Sequence, residues 1–366
     1  MSGSMPGLPT FSALRTLVLV AVLAVSYIGV QGQVVSRPDS AAPRIVILPF
    51  QNLSPESQAR DAVMPRIYQL VAGLGLCPVS ADTVDAALRR FRIRDTGQIG
   101  WKHAQGLSSE NGSQWIMLGS IDLYSSDLLQ AGISARLLNG LTGEIVWADS
   151  RYAAANKAPS LLRPNPIDSV GPVLEDVLQS LFVSLEQAWL QNRCSSRTER
   201  AAGISVSGRV LIIPWENISG SLLADQIVNH VVLSMLFQHG FDIIEPGLVN
   251  EQTRSLGLMP QGQVDLATLK SLADYFAADY CLTGSVIRYE LATLSEEGNI
   301  PALEISMRWL DARLGRILGS VHIGGSGADF IKIFQLGAIR SPGQLLQRLL
   351  AKPVMTISKQ LALRNS

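Results

Sequence analysis

The side chains best suited to metal binding or proton transfer are four histidines, His103, His230, His239 and His322, and three cysteines, Cys77, Cys194 and Cys281. No histidine stands at zinc-site spacing from another His, Cys or acid. His230 and His239 fall on one helical stretch, more than two turns apart. Ser219-Gly-Ser221 and Gly324-Gly-Ser-Gly327 have the composition of phosphate loops. Neither carries the Walker lysine or a three-glycine fingerprint opening a helix, and turn chemistry explains both more simply. Trp115, Trp147, Trp215 and Trp309 fall at strand positions, where packing outweighs ligand stacking. The expectation is therefore no catalytic, cofactor-binding or metal-binding residue, and no cofactor.

Two asparagines stand where a ligand could be held. Asn52 and Asn217 each end a buried apolar strand, the place where α/β proteins bind ligands. The competing reading, that each amide caps the following turn, is favoured. With Asn111-Gly-Ser113 they are also formal glycosylation sequons.

The elements that would position these residues come from an internal repeat. RIVILPFQNLS (44–54) returns as RVLIIPWENIS (209–219). Val46 maps to Leu211, Val63 to Val228, Gly75 to Gly240 and Gly119 to Gly284, always 165 positions apart (211 − 46). Ile133 maps to Ile305, Leu137 to Trp309 and Gly143 to Gly315, now 172 apart (305 − 133), so the second copy gains seven residues between the blocks.

Each copy opens with a β-branched run closed by proline, as in a strand buried on both faces. Ser54-Pro55-Glu56 has the residue types of a helix start. The helix that follows puts Val63, Ile67, Leu70 and Val71 on one face; its counterpart puts Ile227, Val228, Val231, Val232 and Met235 there. Gly75 and Gly240 suit left-handed C-caps. A short strand comes next (76–79 and 241–244), then a second helix, clear over Leu266, Leu269, Leu272 and Phe276 and weaker over Trp101, Ala104 and Leu107. A Gly-Ser strand follows, and its partner alternates. Ala131, Ile133, Ala135 and Leu137 oppose Gln130, Ser134 and Arg136; Leu303, Ile305, Met307 and Trp309 oppose Glu304, Ser306 and Arg308. Such alternation predicts one covered face and one wet face.

The fold class is thus α/β, in the two-layer α+β sense. Two similar repeats each hold a mixed sheet of about five strands with helices packed on one side. The divisions are a signal peptide or membrane anchor over 1–33, a first repeat over 43–155, a helical extension over 156–190, a linker over 191–207, a second repeat over 208–325 and a C-terminal helical extension over 326–366.

This order of motifs resembles the amino-terminal domain of the TolB translocation protein and its relatives, the CsgG curli-secretion family and the LpoB cell-wall-synthase activators. The residues that carry it are Val46-Ile-Leu-Pro-Phe-Gln-Asn-Leu-Ser54, Leu118-Gly-Ser120 and Leu141-Thr-Gly-Glu-Ile-Val-Trp147 in copy one. In copy two they are Leu211-Ile-Ile-Pro-Trp-Glu-Asn-Ile-Ser219 and Leu282-Thr-Gly-Ser285, with Gly319 where the closing tryptophan would stand. The resemblance implies a non-enzymatic envelope protein that binds proteins. It departs from pore formers, because Tyr124–Asp127 and the charged stretch 295–299 are too short for membrane hairpins.

Composition agrees with export and argues against some partners. Arg15 precedes an apolar run from Leu17 to Val30, the plan of a signal peptide or of a retained anchor spanning residues 16–33. No cysteine follows that run, which excludes a lipoprotein anchor on this sequence. Lys plus Arg and Asp plus Glu are both 30, so there is no basic excess for nucleic acid. Buried thiols are expected at Cys77 and Cys281, and an accessible one at Cys194. The expected role is an exported, periplasmic or inner-membrane-anchored scaffold for envelope or outer-membrane proteins or for further copies of itself. The alternative is a two-lobed periplasmic receptor for a small molecule or glycan; an enzyme ranks third.

Overall fold

The computed structural model describes residues 42–155, 168–190, 208–257, 265–291, 300–331 and 337–365. The expected signal peptide or anchor, the linker, Cys194 and the stretch 295–299 lie outside the described residues.

The first repeat begins with β1 (Arg44–Ile47) and β2 (Gln51–Asn52), then α1 (Ala59–Gly73), β3 (Cys77–Pro78), α2 (Ala81–Phe91) and α3 (Trp101–Asn111). Three long strands, β4 (Trp115–Ser125), β5 (Gln130–Asn139) and β6 (Ile145–Ala154), lead to α4 (Gly171–Leu190). The second repeat runs in the same order: β7 (Arg209–Ile212), β8 (Glu216–Asn217), α5 (Ala224–Gln238), β9 (Asp242–Ile243), α6 (Pro246–Ser255) and α7 (Leu266–Phe276). β10 (Tyr280–Glu290), β11 (Ala302–Asp311), β12 (Arg316–Ser326) and α8 (Pro342–Asn365) complete it.

The two sheets share one strand order, β3-β1-β4-β5-β6 and β9-β7-β10-β11-β12, with β2 and β8 added beside β4 and β10. In both, the short strands pair in parallel and the long ones antiparallel. Even the irregularity recurs. A bulge interrupts β4 between Ile121 and Leu123, and β10 between Val286 and Arg288.

Several local readings are refined. α1 starts at Ala59 rather than at the Ser-Pro-Glu triplet, because Ser54 is held in a turn by the Asn52 amide. Helices α2 and α6 are additions to the expected order. Their apolar sides are short (Val84, Ala87 and Leu88 in α2), but Ser80 caps α2 and Glu245 caps α6 from their side chains. Gly75 and Gly240 do take positive φ, 77° and 88°, at the ends of α1 and α5.

The Pro-aromatic and Gly-Ser motifs explain each other. A Cβ on Gly119 would meet the Phe50 ring at 2.6 Å, and one on Gly284 would meet the Trp215 ring at 2.5 Å. The aromatic after the proline lies over the strand glycine, and only glycine leaves it room.

Helices cover both faces of the first sheet, where one face was expected. Ile45, Ile47, Met117 and Ile133 pack with α1 and α4, through Val63, Ile67, Val177 and Leu181. Val46, Leu48, Ile116 and Leu138 face the other way, toward α2, α3 and the second repeat's Val231, Leu345 and Leu346. Helices α5 and α8 therefore lie between the sheets, with their apolar sides on sheet two and their backs on sheet one. α6 and α7 close a smaller core over Leu211, Ile213 and Cys281. Both repeats belong to one unit, Ala42–Ser366, and are stacked in the same sense rather than back to back.

The stacking overturns one expectation. Alternation predicts a wet face for Gln130, Ser134 and Arg136, yet every residue of β5 is buried. The pattern reports a polar face correctly, but not whether water or a second repeat covers it. In β11 the face stays open: Glu304 and Ser306 are half-buried and Arg308 is exposed.

Candidate functional site

Among the described residues an extended assembly of buried polar side chains lies where the back of the second repeat meets the first sheet. The bulge in β4 leaves Asp122 without an opposite residue on β5, and its buried carboxylate lies against Ser120, two positions back on the same face. Asp122 accepts from Ser120 Oγ at 2.5 Å, from Tyr152 OH at 2.5 Å and from Ser134 Oγ. His230 of α5 reaches in from the other repeat, its Nδ1 2.8 Å from Ser120 Oγ and 3.6 Å from Asp122 Oδ1. Ser120 gives its one proton to Asp122, so the hydrogen between serine and imidazole belongs on Nδ1. Burial and the neighbouring Asp122 charge hold the Tyr152 phenol well above its ordinary range, so it stays a donor.

The network continues along the strands. Ser134 and Ser150 are 2.7 Å apart, and Ser234 of α5 donates to Ser150 at 2.9 Å. Gln238 donates to Asp149 at 2.6 Å; from α8, Gln344 and Gln347 donate to the carbonyls of Tyr152 and Ser150. At the other end Arg136 makes a two-pronged contact with Glu245, Nε to Oε2 at 2.7 Å and Nη2 to Oε1 at 2.8 Å, and gives Nη2 to the Gly97 carbonyl at 2.6 Å. Its side chain is 3% exposed and that of Glu245 is 0%. A charge pair so enclosed is held by fixed partners on every side, which fixes how the repeats register.

Ser120, His230 and Asp122 invite comparison with a hydrolytic triad. The geometry does not support it, because serine and carboxylate both face Nδ1, whereas a triad puts the acid on one ring nitrogen and the nucleophile on the other. All three are buried. The cluster does the work of a joint.

The residues singled out by sequence sit elsewhere. Asn52 accepts from the backbone and hydroxyl of Ser54 and donates to the Glu56 carbonyl; Asn217 does the same with Ser219 and Ser221. Both amides cap turns. His239 bonds the Met235 carbonyl, and His322 pairs with Glu304 at 2.9 Å on the open face. Among the described residues no three His, Cys, Asp or Glu side chains gather as metal ligands. Ser326 caps a short turn with Asp329, which accounts for the Gly-Gly-Ser-Gly stretch. Cys281 is buried, with its thiol pushed up to about 12 by burial, whereas Cys77 is exposed on the edge strand β3 and not buried as expected.

Sequence reading missed the joint, although a signal for it existed. Ser120, Ser134 and Arg136 recur as Ser285, Ser306 and Arg308 at the two repeat offsets. Core packing alone does not require the same polar residue at the same place twice. In the first repeat Ser120 meets α5 and Arg136 the cap of α6, with Ser134 buried between them; in the second their counterparts face outward. Ile218 is 59% exposed, while its first-repeat counterpart Leu53 is 7% exposed. Leu222, at 89%, extends the apolar tip beside it.

No protein-family model matches the chain, and no curated protein matches it. Among solved structures it is similar to lipoprotein GNA1162 from Neisseria meningitidis, at 19% identity and a TM-score of 0.32, over 41% of this chain and 98% of that one. The carboxy-terminal domain of LpoB from Salmonella enterica aligns at 16% identity and a TM-score of 0.27, over 36% of this chain and 93% of that one. TolB from Acinetobacter baumannii aligns at 12% identity and 0.23, over 40% and 29%.

Proposed function

We propose that this chain is a non-enzymatic, exported protein-binding module of the cell envelope, built by tandem duplication of one TolB-like and LpoB-like unit. The observation that carries the reading is the unequal fate of one surface. Its polar residues are consumed in the joint of the first repeat, and their counterparts stand open on the second. Such a face, with Arg308 exposed on it and exposed apolar side chains at Ile218 and Leu222 of the same repeat, suits protein contact better than chemistry. The apolar run over residues 16–33 supports export, by a cleaved signal or an anchor. Among the described residues no helix is long and apolar enough to cross a membrane.

The two-lobed receptor reading is disfavoured by the same joint, since the repeats meet through packed side chains where a receptor would hold an open cleft. Affinity capture from envelope extract with wild type and with Arg308→Glu tests the proposal. An envelope protein identified with wild type and lost with the variant is expected. Equal recovery of every protein by both would refute it, as would a metabolite or glycan that raises the thermal midpoint by several degrees.

A further inference from the structure

We infer that the open face of sheet two is a docking surface for a second copy of this chain, which seats the outward side of its first repeat there. The inference rests on the protein-binding reading above and names the partner. Its ground is that the same contact already exists once inside the molecule. Sheet one receives the back of α5 at Ser120 and Ser150, α8 at the Ser150 carbonyl and the Glu245 cap of α6 at Arg136, with Ser134 between them on the same face. Sheet two carries Ser285, Ser306, Arg308 and His322 at the matching positions, with matching strand registers: Ser134 lies opposite Ser150, and Ser306 opposite His322.

The complementary surface is also open. The back of α5 that enters the joint carries Gln226, His230 and Ser234, and their first-repeat counterparts on α1 are Asp61, Pro65 and Gln69. All three of those are exposed. The terminal helices keep the offset too: Val173, Leu174 and Leu178 of α4 match Leu345, Leu346 and Leu350 of α8 at 172 positions (345 − 173). One upper and one lower surface of the same joint are therefore left uncovered, at opposite ends of a two-repeat stack. Docked by the internal rule, a second copy would bring Ser80 to Arg308, where Glu245 meets Arg136, with Asp82 two residues on. It would also cover Ile218 as Leu53 is covered. A contact between unlike surfaces does not close on itself as a two-fold does, so the product is a ring or an open stack.

The test uses the full chain with Cys77 and Cys194 replaced by serine. Ser234 and Ser150 are hydroxyl to hydroxyl at 2.9 Å across the internal joint, so the corresponding intermolecular pair is Gln69→Cys with His322→Cys. Under mild oxidation this double variant should give a ladder of disulfide-linked multimers on non-reducing gels, and each single variant should give none. Light scattering on the chain lacking those two cysteines should show mass rising with concentration. Arg308→Glu should weaken self-association by about tenfold or more. Dimers from His322→Cys alone would mean a two-fold contact and overturn the inference. A photo-crosslinker at position 308 that captures a different protein would do the same while leaving the protein-binding reading intact. A monomer at every concentration with no crosslink of any kind would sink both. Ser150→Cys with Ser234→Cys, closing inside one chain, checks that the internal joint and the chemistry are in place.

Discussion

Arg136 and Arg308 occupy the same place in two copies of one sheet, one enclosed and one in water, and this pair gives the sharpest test of the stacking. Replacing Arg136 with alanine leaves the Glu245 carboxylate, 0% exposed, without its cation. Breaking one side of a buried pair costs about 3–5 kcal/mol. With a urea m-value of about 3 kcal/mol/M, the midpoint should fall by about 1–1.7 M. Arg308→Ala removes an exposed side chain, so its effect should stay within about 0.5 kcal/mol, or about 0.2 M. The double variant Arg136→Met with Glu245→Leu replaces both charges with apolar groups of similar volume and should recover most of the loss. Urea unfolding followed by tryptophan fluorescence and circular dichroism reads all four proteins. Equal shifts for the two arginines, or a double variant as unstable as the single, would refute the claim that the second repeat seals the first.

Three further outcomes follow from the packing. Gly119→Ala should destabilise by about 1–3 kcal/mol in thermal unfolding, since its Cβ would enter the Phe50 ring and the Ser134 carbonyl; Phe50→Leu should relieve part of that loss. Tyr152 and Tyr289 have raised phenol pKa values from burial, with the Asp122 charge adding to it. The folded state thus holds these protons more tightly, so their contribution is complete below the ordinary tyrosine pKa of about 10 and is lost as pH rises through the folded values. Replacing both by phenylalanine should flatten the alkaline arm of a stability-against-pH curve above about pH 10, and an unchanged arm would contradict this. Cys77 should react with a maleimide within minutes in the native protein, while Cys281 should react only on unfolding; prompt labelling at both would show that the α6–α7 core is open.

How much of the fold is legible in the sequence depends on whether the deciding interaction is local. The succession of strands along the chain comes through because RIVILPF and RVLIIPW are short buried runs, and the long strands alternate with period two. The C-cap glycines come through because a positive φ leaves few alternatives. Helix α6 does not, since it offers only a narrow apolar side and is held by contacts distant in sequence, such as Gly247 against the Ile99 backbone; α2 does carry local signals, the Ser80 cap and the apolar side of Val84, Ala87 and Leu88. The joint is hidden for a stronger reason. Ser134 and Ser306 sit at the same place in the repeat and share one strand geometry, and differ in what lies above them. No window on the sequence contains that difference. It emerges only on asking why Ser120, Ser134 and Arg136 should be spelled twice.

The seam between the repeats joins an apolar patch to a broad polar one, and this bears on how the chain assembles. An oily seam would oblige both halves to collapse together or risk sticking to other chains. Here each half, newly made, can present serines, glutamines and charged groups to water around the apolar patch that the joint finally covers, while its own interior consolidates. The halves then meet as finished parts that exchange solvent for one another's hydrogen-bonding groups, a step expected to come late in refolding and to slow selectively when Arg136 or Glu245 is altered. The same property lets one strand face serve as an exterior in one copy and an interior in the other while keeping Ser120, Ser134 and Arg136 as Ser285, Ser306 and Arg308, with Asp122 exchanged for Ile287.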